Sequence, residues 1–294
     1  MAGLWENGLV IKRVGGKSKL ANWIKFHIPS HKIFVDVFGG SGAVLDVVLR
    51  PGRDTRYVYN DLDAKLYSFF KVLQGKAPEF AELVNLTPYS RKFFDEALKI
   101  VQDEDKLESL DMLDQALAFL IVNRQSFGAK MMSPWSITRD GEINYDTWSK
   151  LGDLILRVYE RWRSVFLENL DYRQILKKWD SESTTFYLDP PYEGVESDYY
   201  EVNKEDGFDH NEMYCHLQGI AGSYVVSYYE ESDVVELYKK AGCEVVTQDV
   251  KMHLSGSEEK ASKTEILLVS VNEWAKKQRG QKAIKGRQTG NIFK

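Results

Sequence analysis

Short apolar runs alternate with stretches of helical pattern along most of the chain. Six of these runs are rich in Val, Ile, Tyr and Phe and have the length of buried strands: Ile33–Val37, Arg56–Tyr59, Thr185–Leu188, Tyr224–Ser227, Glu244–Val250 and Glu265–Val271. Helical patterns lie between them, at Gly42–Leu49, Ala64–Leu73, His210–Ile220 and Ser232–Ala241. This alternation predicts an α/β fold whose parallel sheet is covered by helices on both faces. The last two strands are joined only by a loop at 253–263, so we expect them to pair antiparallel at an edge.

The region from residue 66 to residue 163 departs from this alternation. Helical patterns dominate it, as in Ser90–Val101 and Leu107–Val122. The Asp-Gly pair at 140–141 is a strong turn signal and predicts a β-hairpin over Ser136–Tyr145. We therefore predict a discontinuous core domain at 1–65 and 147–275, an inserted helical domain with a hairpin at 66–146, and a basic tail at 276–294.

Composition and charge narrow the functional classes. The 294 residues are 43% hydrophobic and 28% charged, which is ordinary for a globular protein, and no apolar run approaches the length of a membrane span. The N-terminus has no secretory pattern, and Cys215 and Cys243 fit no zinc spacing, so we expect a cytoplasmic protein without a metal. His210 and His216 are expected on a helix surface.

The net charge of −5 argues against a nucleic-acid binder, but the last twenty residues carry seven Lys or Arg and no acid. This tail is interpreted either as a solvated end or as a contact to phosphates.

The segment TTFYLDPPY, residues 184–192, ends a predicted strand with an acid, two prolines and an aromatic ring. The prolines fix φ and cannot continue a strand, so they make a stiff turn at the sheet edge where ligands bind in α/β folds. Asp189 and the carbonyl of Pro190 could accept the protons of an amino group, and the Tyr192 ring could stack on a base. The pattern favours methylation of an amino group. The alternative is a structural loop with a buried tyrosine.

Three further patterns indicate a small-molecule site. After the strand that ends at Asp36 comes FGGSG at 38–42 and then an amphipathic helix; glycines there let a ligand approach the backbone. The dinucleotide fingerprint is incomplete, because its third glycine is missing. The second strand ends in NDLD at 60–63, where Asp61 could accept hydrogen bonds from ribose and Asp63 could cap the next helix. Lys17 follows two glycines and could pair with a carboxylate, although no phosphate loop is formed.

In order, GGK at 15–17, the FGGSG loop, NDLD, a helical insert and DPPY at 189–192 resemble the Dam-type (D12 class, α-group) DNA adenine methyltransferases. The similarity extends from about Arg13 to Trp274. It implies a Rossmann-like S-adenosylmethionine methyltransferase sheet with an antiparallel edge strand, and an inserted target-recognition domain. It also implies transfer of a methyl group from S-adenosylmethionine to the N6 amino group of adenine in double-stranded DNA, with base flipping. A prokaryotic or phage-encoded origin, restriction-associated or orphan, is expected.

The resemblance also implies residue roles. The catalytic turn would be formed by Asp189, Pro190, Pro191 and Tyr192. The cofactor would be bound by Arg13, Lys17, Asp36, Phe38, Gly39, Gly40, Ser41, Gly42, Asp61 and Asp189. The segment IVNRQSFG, residues 121–128, resembles the stretch that introduces the family's DNA-reading hairpin. It would bring Arg124, Lys130 and Arg139 near DNA.

Two departures from the family pattern are visible. The family often has an aromatic residue where this chain has Arg13, although an arginine plane can also stack on adenine. Gly128-Ala129 stands in place of the family's Asn-Gly, so a GATC target is not carried over.

Four alternatives stay open. An RNA adenine methyltransferase can share the catalytic turn, and a comparison of substrates separates it. Cytosine N4 methylation needs similar acceptors, although Asp rather than Ser at position 189 and the motif order favour adenine. A catalytically silent DNA-binding module would fail to bind S-adenosylmethionine. A nicotinamide oxidoreductase is the weakest alternative, since the glycine fingerprint is imperfect.

Overall fold

The computed structural model describes residues 9–13, 16–50, 52, 54–127, 133–136, 147–192, 208–230, 232–251 and 262–280. The chain divides into two compact units. The first contains Met1–Asn22, Gly39–Pro51 and Asp61–Asn169, and the second contains Trp23–Phe38, Gly52–Asn60 and Leu170–Lys294. The domain boundaries given above from the sequence stay a prediction.

Eleven α-helices have defined bounds within the described residues: α1 Ala21–His27, α2 Ala43–Val48, α3 Ala64–Gly75, α4 Ala77–Leu86, α5 Arg91–Val101, α6 Glu104–Glu108, α7 Met112–Gln125, α8 Leu151–Trp162, α9 Tyr172–Trp179, α10 His210–Gln218 and α11 Val235–Lys240. A short 3₁₀ helix spans Lys17–Lys19. Within the same residues, every helix is too short or too polar to cross a membrane.

The seven strands of the sheet are β1 Ile33–Asp36, β2 Arg56–Asn60, β3 Phe166–Glu168, β4 Thr184–Leu188, β5 Ser223–Tyr229, β6 Glu244–Lys251 and β7 Ser262–Ser270. Six of them belong to the second unit, in the order β2-β1-β4-β5-β7-β6. Strands β2, β1, β4 and β5 are parallel neighbours. Strand β7 runs antiparallel to both β5 and β6. The predicted parallel sheet with an antiparallel pair at one edge is confirmed, and the reversed strand is β7, next to the edge strand β6.

The central strands are apolar along nearly their whole length in the sequence because nearly all of their residues are buried. Every residue of β4 is buried, as are the last three residues of β1 and the last four of β2. The second unit's core joins Val35, Phe186 and Val226 of the sheet to Ile175 of α9 and Met213 of α10. Both faces of the central strands therefore pack against side chains. The glycine loop follows the carboxyl end of β1, and the DPPY turn follows that of β4.

The first unit is mainly helical. Helix α4 packs against α8, and α5 and α3 pack against α7. The helical pattern over Leu107–Val122 corresponds to two helices, α6 and α7, separated by a break at Ser109–Asp111. The cause is local, because the Asp111 carboxylate accepts hydrogen bonds from the backbone N–H groups of Leu113 and Asp114 and so starts a new helix.

Candidate active site

The glycine loop predicted to bind a small molecule leads from β1 into α2. Gly42 has φ +74°, and a Cβ atom there would lie 2.3 Å from Cη2 of Trp162. That ring has little freedom to move, since it stacks on Phe70 with centroids 4.6 Å apart and its Nε1 donates to Asp46 at 2.7 Å. Position 42 therefore requires glycine for both its backbone conformation and its space. Ser41 beside it is buried.

Asp61 at the end of β2 organises the same loop within the first unit. Its Oδ2 accepts a hydrogen bond from the Gly40 N–H at 2.8 Å, and its Oδ1 accepts one from the Asp63 N–H at 3.0 Å. Arg13 Nη1 lies 3.6 Å from the same Oδ2. Burial raises the pKa of Asp61, while the Arg13 guanidinium opposes this shift. The predicted cofactor residues Arg13, Gly40 and Asp61 are thus brought together, with Asp61 in contact with the glycine backbone.

Gly16 of the GGK segment is held against Arg13. The Gly16 N–H donates to the Arg13 carbonyl at 3.0 Å, and a Cβ at Gly16 would lie 2.9 Å from that oxygen. The 3₁₀ helix that begins at Lys17 follows Gly16 directly. Lys17 is only 6% exposed, which is unusual for a lysine.

Asn60, the last residue of β2, is a structural residue that the sequence reasoning gave no role. Its Nδ2 donates to the carbonyls of Val37 at 2.9 Å and Leu170 at 3.0 Å. Its Oδ1 accepts from the Leu170 N–H at 2.9 Å. One buried side chain therefore joins the exits of β1 and β2 to the start of the α9 segment, all within the second unit.

The DPPY turn follows β4 in the second unit. Asp189 is half-buried and Pro190 is buried. The Tyr192 hydroxyl oxygen lies 2.9 Å from Oδ1 of Asp189 and 2.9 Å from Oε1 of Glu265. The Tyr192 ring lies beside Tyr229, with centroids 4.5 Å apart and a tilt of 30°. Burial and the Asp189 and Glu265 carboxyls raise the pKa of Tyr192 well above its ordinary value, so Tyr192 stays a neutral phenol.

Further polar groups surround this turn. Tyr187 on β4 is buried, and its pKa is raised well above the ordinary value by burial and by Asp189, Asp36 and Glu265. Asp36 is the register partner of Tyr187 across β1 and β4, and is 1% exposed. The Ser227 hydroxyl on β5 donates to Oε1 of Glu265 on β7. Carboxyl and hydroxyl groups from four neighbouring strands therefore meet around the turn.

Aromatic rings pack beside the polar cluster. Phe38, predicted to line the cofactor pocket, has its ring 6.1 Å from that of Tyr172 and 5.7 Å from that of Phe208. The expectation that His210 lies on a helix surface is wrong: it is buried, and its Nδ1 lies 2.9 Å from the Tyr228 hydroxyl. His216 is exposed, as expected. The spacing of His210 and His216 correctly predicted a helix. The burial of His210 depends on its polar partner Tyr228 of β5, which comes 18 residues later in the sequence.

The model of the D12 class N6 adenine-specific DNA methyltransferases matches residues 14–252. The chain belongs to this family. Its relatives include the DNA adenine methylase of Escherichia coli (strain K12), which is 23% identical over 196 residues covering 64% of this chain and 66% of that protein. The DNA N-6-adenine-methyltransferase of Escherichia phage P1 is 25% identical over 193 residues, which cover 63% of this chain and 24% of that protein. The chain thus spans just under two thirds of the length of the Escherichia coli relative it matches.

Among solved structures, precorrin-6y C5,15-methyltransferase from Geobacter metallireducens GS-15 aligns over 92% of this chain and 94% of its own. The TM-score is 0.37 and the sequence identity is 9%. A likeness of this size does not establish a shared fold.

Of the residues that the D12 resemblance assigns to DNA binding, Arg124 is described, whereas Lys130 and Arg139 lie outside the described residues. Burial lowers the pKa of Arg124 to about 10. Lys12 lies close to it, and burial together with the Arg124 charge lowers the pKa of Lys12 to about 8. The Lys12 backbone is held on both sides by Asn123, at 2.8 and 2.7 Å. Two cations are therefore fixed near one another at the end of α7.

The segment that follows α7 is paired with residues 133–136. The Phe127 N–H donates to the Pro134 carbonyl at 2.9 Å, and the Ser136 N–H donates to the Gln125 carbonyl at 2.7 Å. Tyr89 donates its hydroxyl hydrogen to the Ser136 carbonyl at 2.6 Å. The hairpin predicted over Ser136–Tyr145 lies outside the described residues beyond its first residue. In the ranges that are described, groups of three or more His, Cys, Asp or Glu suited to a metal ion are absent.

Proposed function

We propose that this chain transfers a methyl group from S-adenosylmethionine to the N6 amino group of adenine in double-stranded DNA. The observation that carries the proposal is the Asp-Pro-Pro-Tyr turn at the carboxyl end of β4, in a chain of the D12 family. The turn holds a half-buried carboxylate and an aromatic ring on a proline-stiffened backbone. Such a turn suits an amino group that accepts a methyl group, because this nitrogen needs orientation more than activation by a base.

The residues of the first unit fit a small polar cofactor. The glycines at 40 and 42 have φ of +52° and +74°, so the loop presents backbone without side chains. We assign Lys17 to the carboxylate of the methionine part, Asp61 to the ribose and Arg13 to the adenine ring. Since Asp61 already accepts hydrogen bonds from Gly40 and Asp63, it would also fix the shape of the loop. Gly39 and Ser41 of the same loop are proposed cofactor contacts, and Phe38 and Asp36 of the second unit keep that assignment on the resemblance alone.

S-adenosylmethionine, when bound, supplies a methyl group on a positively charged sulfur. The work left to the protein is to orient the acceptor nitrogen, whose lone pair is delocalised into the adenine ring. Asp189 and the Pro190 carbonyl would accept the two amino hydrogens, which favours a pyramidal nitrogen and stabilises the charge it gains. The Tyr192 ring would stack on the base and hold the nitrogen in line with the methyl group.

Access to N6 requires that adenine leave the duplex, at a cost of about a few kcal/mol. Contacts to phosphates offset part of this cost, and Arg124 with Lys12 is the described cationic pair that suits them. Lys130 and Arg139 are proposed DNA contacts on the resemblance alone.

The test is product identification. Purified protein is incubated with isotope-labelled S-adenosylmethionine and, in separate reactions, unmethylated genomic DNA and total RNA. Nucleosides from each digest are then separated by mass spectrometry. Labelled N6-methyladenine from DNA alone is the expected result. Label in RNA or on cytosine would overturn the substrate assignment, and cofactor binding without any label would support a silent DNA-binding module.

A further inference from the structure

The helix that follows the glycine loop carries a largely buried carboxylate. Asp46 lies in α2, one turn after Gly42; its N–H donates to the Gly42 carbonyl at 2.9 Å, and its side chain is 9% exposed. Trp162 Nε1 donates to Asp46 Oδ1 at 2.7 Å. Arg161 donates through Nε to Oδ1 at 3.0 Å and through Nη2 to Oδ2 at 3.1 Å. Two neighbouring residues of α8 therefore hold one carboxylate of α2, and the arginine does so in the two-point geometry that fixes its orientation.

The indole of Trp162 extends from Asp46 back to the glycine loop. Its Nε1 is bonded to Asp46, and its Cη2 is the atom that a Cβ at Gly42 would meet at 2.3 Å. The ring has a second support, because it stacks on Phe70 of α3 with an interplanar angle of 7°. Gly42 also closes the loop, since its N–H donates to the Gly39 carbonyl at 2.7 Å. Asp46 thus helps to fix the indole, and the indole limits where the loop backbone can lie.

We propose that Asp46, oriented by Arg161, is a positioning residue that holds the backbone of residues 39–42 in the shape that binds S-adenosylmethionine. The inference rests on the proposed function of that loop. A loop that already has its binding shape binds more tightly, because it need not be ordered when the cofactor arrives. If the loop has that shape only about a tenth of the time, the apparent Kd rises about tenfold. Asp46 would therefore affect cofactor affinity and leave the rate at saturating cofactor nearly unchanged.

Cofactor affinity, measured by isothermal titration calorimetry, tests this role. Asp46→Ala should raise the Kd of S-adenosylmethionine about tenfold or more, with kcat at saturating cofactor within about threefold of wild type. Asp46→Asn should stay within about threefold in Kd, because its Oδ1 can still accept from Trp162 Nε1 and Arg161 Nε. Arg161→Ala changes a side chain that is 35% exposed and should raise Kd about three- to tenfold. It keeps the inference testable if Asp46→Ala does not fold, and an unchanged Kd in Arg161→Ala would overturn the inference.

The matched control separates positioning from a loss of stability. Asp111→Ala removes a helix cap of the same unit, since Asp111 accepts hydrogen bonds from the N–H groups of Leu113 and Asp114. It should lower the free energy of unfolding by about 1 kcal/mol. Well below the Tm of each protein, this variant should bind S-adenosylmethionine as wild type does. An equal rise of Kd in Asp111→Ala and Asp46→Ala would show that Asp46 acts through stability alone, and would overturn the inference.

Amide hydrogen exchange tests the loop itself and needs neither cofactor nor DNA. The N–H groups of Gly40 and Gly42 are hydrogen-bonded, so they report on the loop. In the cofactor-free protein they should exchange at least about tenfold faster in Asp46→Ala than in wild type, and at the wild-type rate in Asp111→Ala. Unchanged exchange of both glycines in Asp46→Ala would overturn the inference. A wild-type protein that binds S-adenosylmethionine with the expected dependence on Asp46 but methylates no DNA would support the inference and contradict the proposed function.

Discussion

Gly42→Ala separates two reasons why a glycine is needed in the FGGSG loop at 38–42. An alanine there must adopt φ near +74°, which costs an L-residue about 1–2 kcal/mol. It must also place Cβ 2.3 Å from Cη2 of Trp162, a ring held by stacking on Phe70 and by a hydrogen bond to Asp46. Overpacking against such a fixed group costs a further 1–3 kcal/mol or so, giving a total loss of about 2–5 kcal/mol.

Gly242→Ala is the matched control for this experiment. Gly242 has a similar φ of +83°, but a Cβ there would meet no atom within 4 Å. It should therefore lose only the backbone part, about 1–2 kcal/mol. Thermal unfolding of both variants measures the difference, and each kcal/mol corresponds to a fall in Tm of about 2–4 °C. Equal falls in Tm would refute the claim that Trp162 confines position 42.

Three other predictions follow from single contacts. Asn60→Leu leaves the carbonyls of Val37 and Leu170 and the Leu170 N–H without their partner. Urea unfolding should therefore show a free energy of unfolding that is lower by about 3–5 kcal/mol. A decrease below about 1 kcal/mol would show that water replaces these hydrogen bonds. Arg124→Ala should reduce the salt dependence of DNA binding by a slope of about 1, measured by fluorescence anisotropy, and an unchanged slope would exclude a phosphate contact. Because the pKa of Lys12 is lowered to about 8, its charge is present below that pH and lost above it, so DNA affinity should fall from pH 7 to pH 9. Lys12→Arg keeps its charge and should abolish that fall, whereas an identical fall in both proteins would assign it to another group.

The strands of the sheet were predictable because each is an apolar run bounded by turn residues. All six predicted strands are present, with ends within a few residues of the expected positions. Strand β3 was missed, since it has three residues, of which Phe166 is exposed and Glu168 is half-buried. Such a strand has neither the length nor the alternation on which sequence reasoning depends.

The candidate site was predictable only in part. The acid, the prolines and the tyrosine of the DPPY turn are adjacent in the sequence, so their grouping needed no knowledge of the fold. Glu265 comes 73 residues after Tyr192 and reaches it through the pairing of β5 with β7. One signal was available: a glutamate inside an apolar strand pattern is costly unless it has a buried partner. The identity of that partner depends on the order of the strands.

We propose above that Asp189 orients the acceptor amino group, and a single-turnover rate of methyl transfer tests this role. Wild type, Asp189→Ala and the control Asp233→Asn, an exposed aspartate of the same unit, are mixed with labelled S-adenosylmethionine and saturating unmethylated DNA. We expect a rate at least about 100-fold lower for Asp189→Ala, with an unchanged Tm, and a wild-type rate for the control. An Asp189→Ala protein that forms N6-methyladenine at nearly the wild-type rate would show that Asp189 does not orient the amino group.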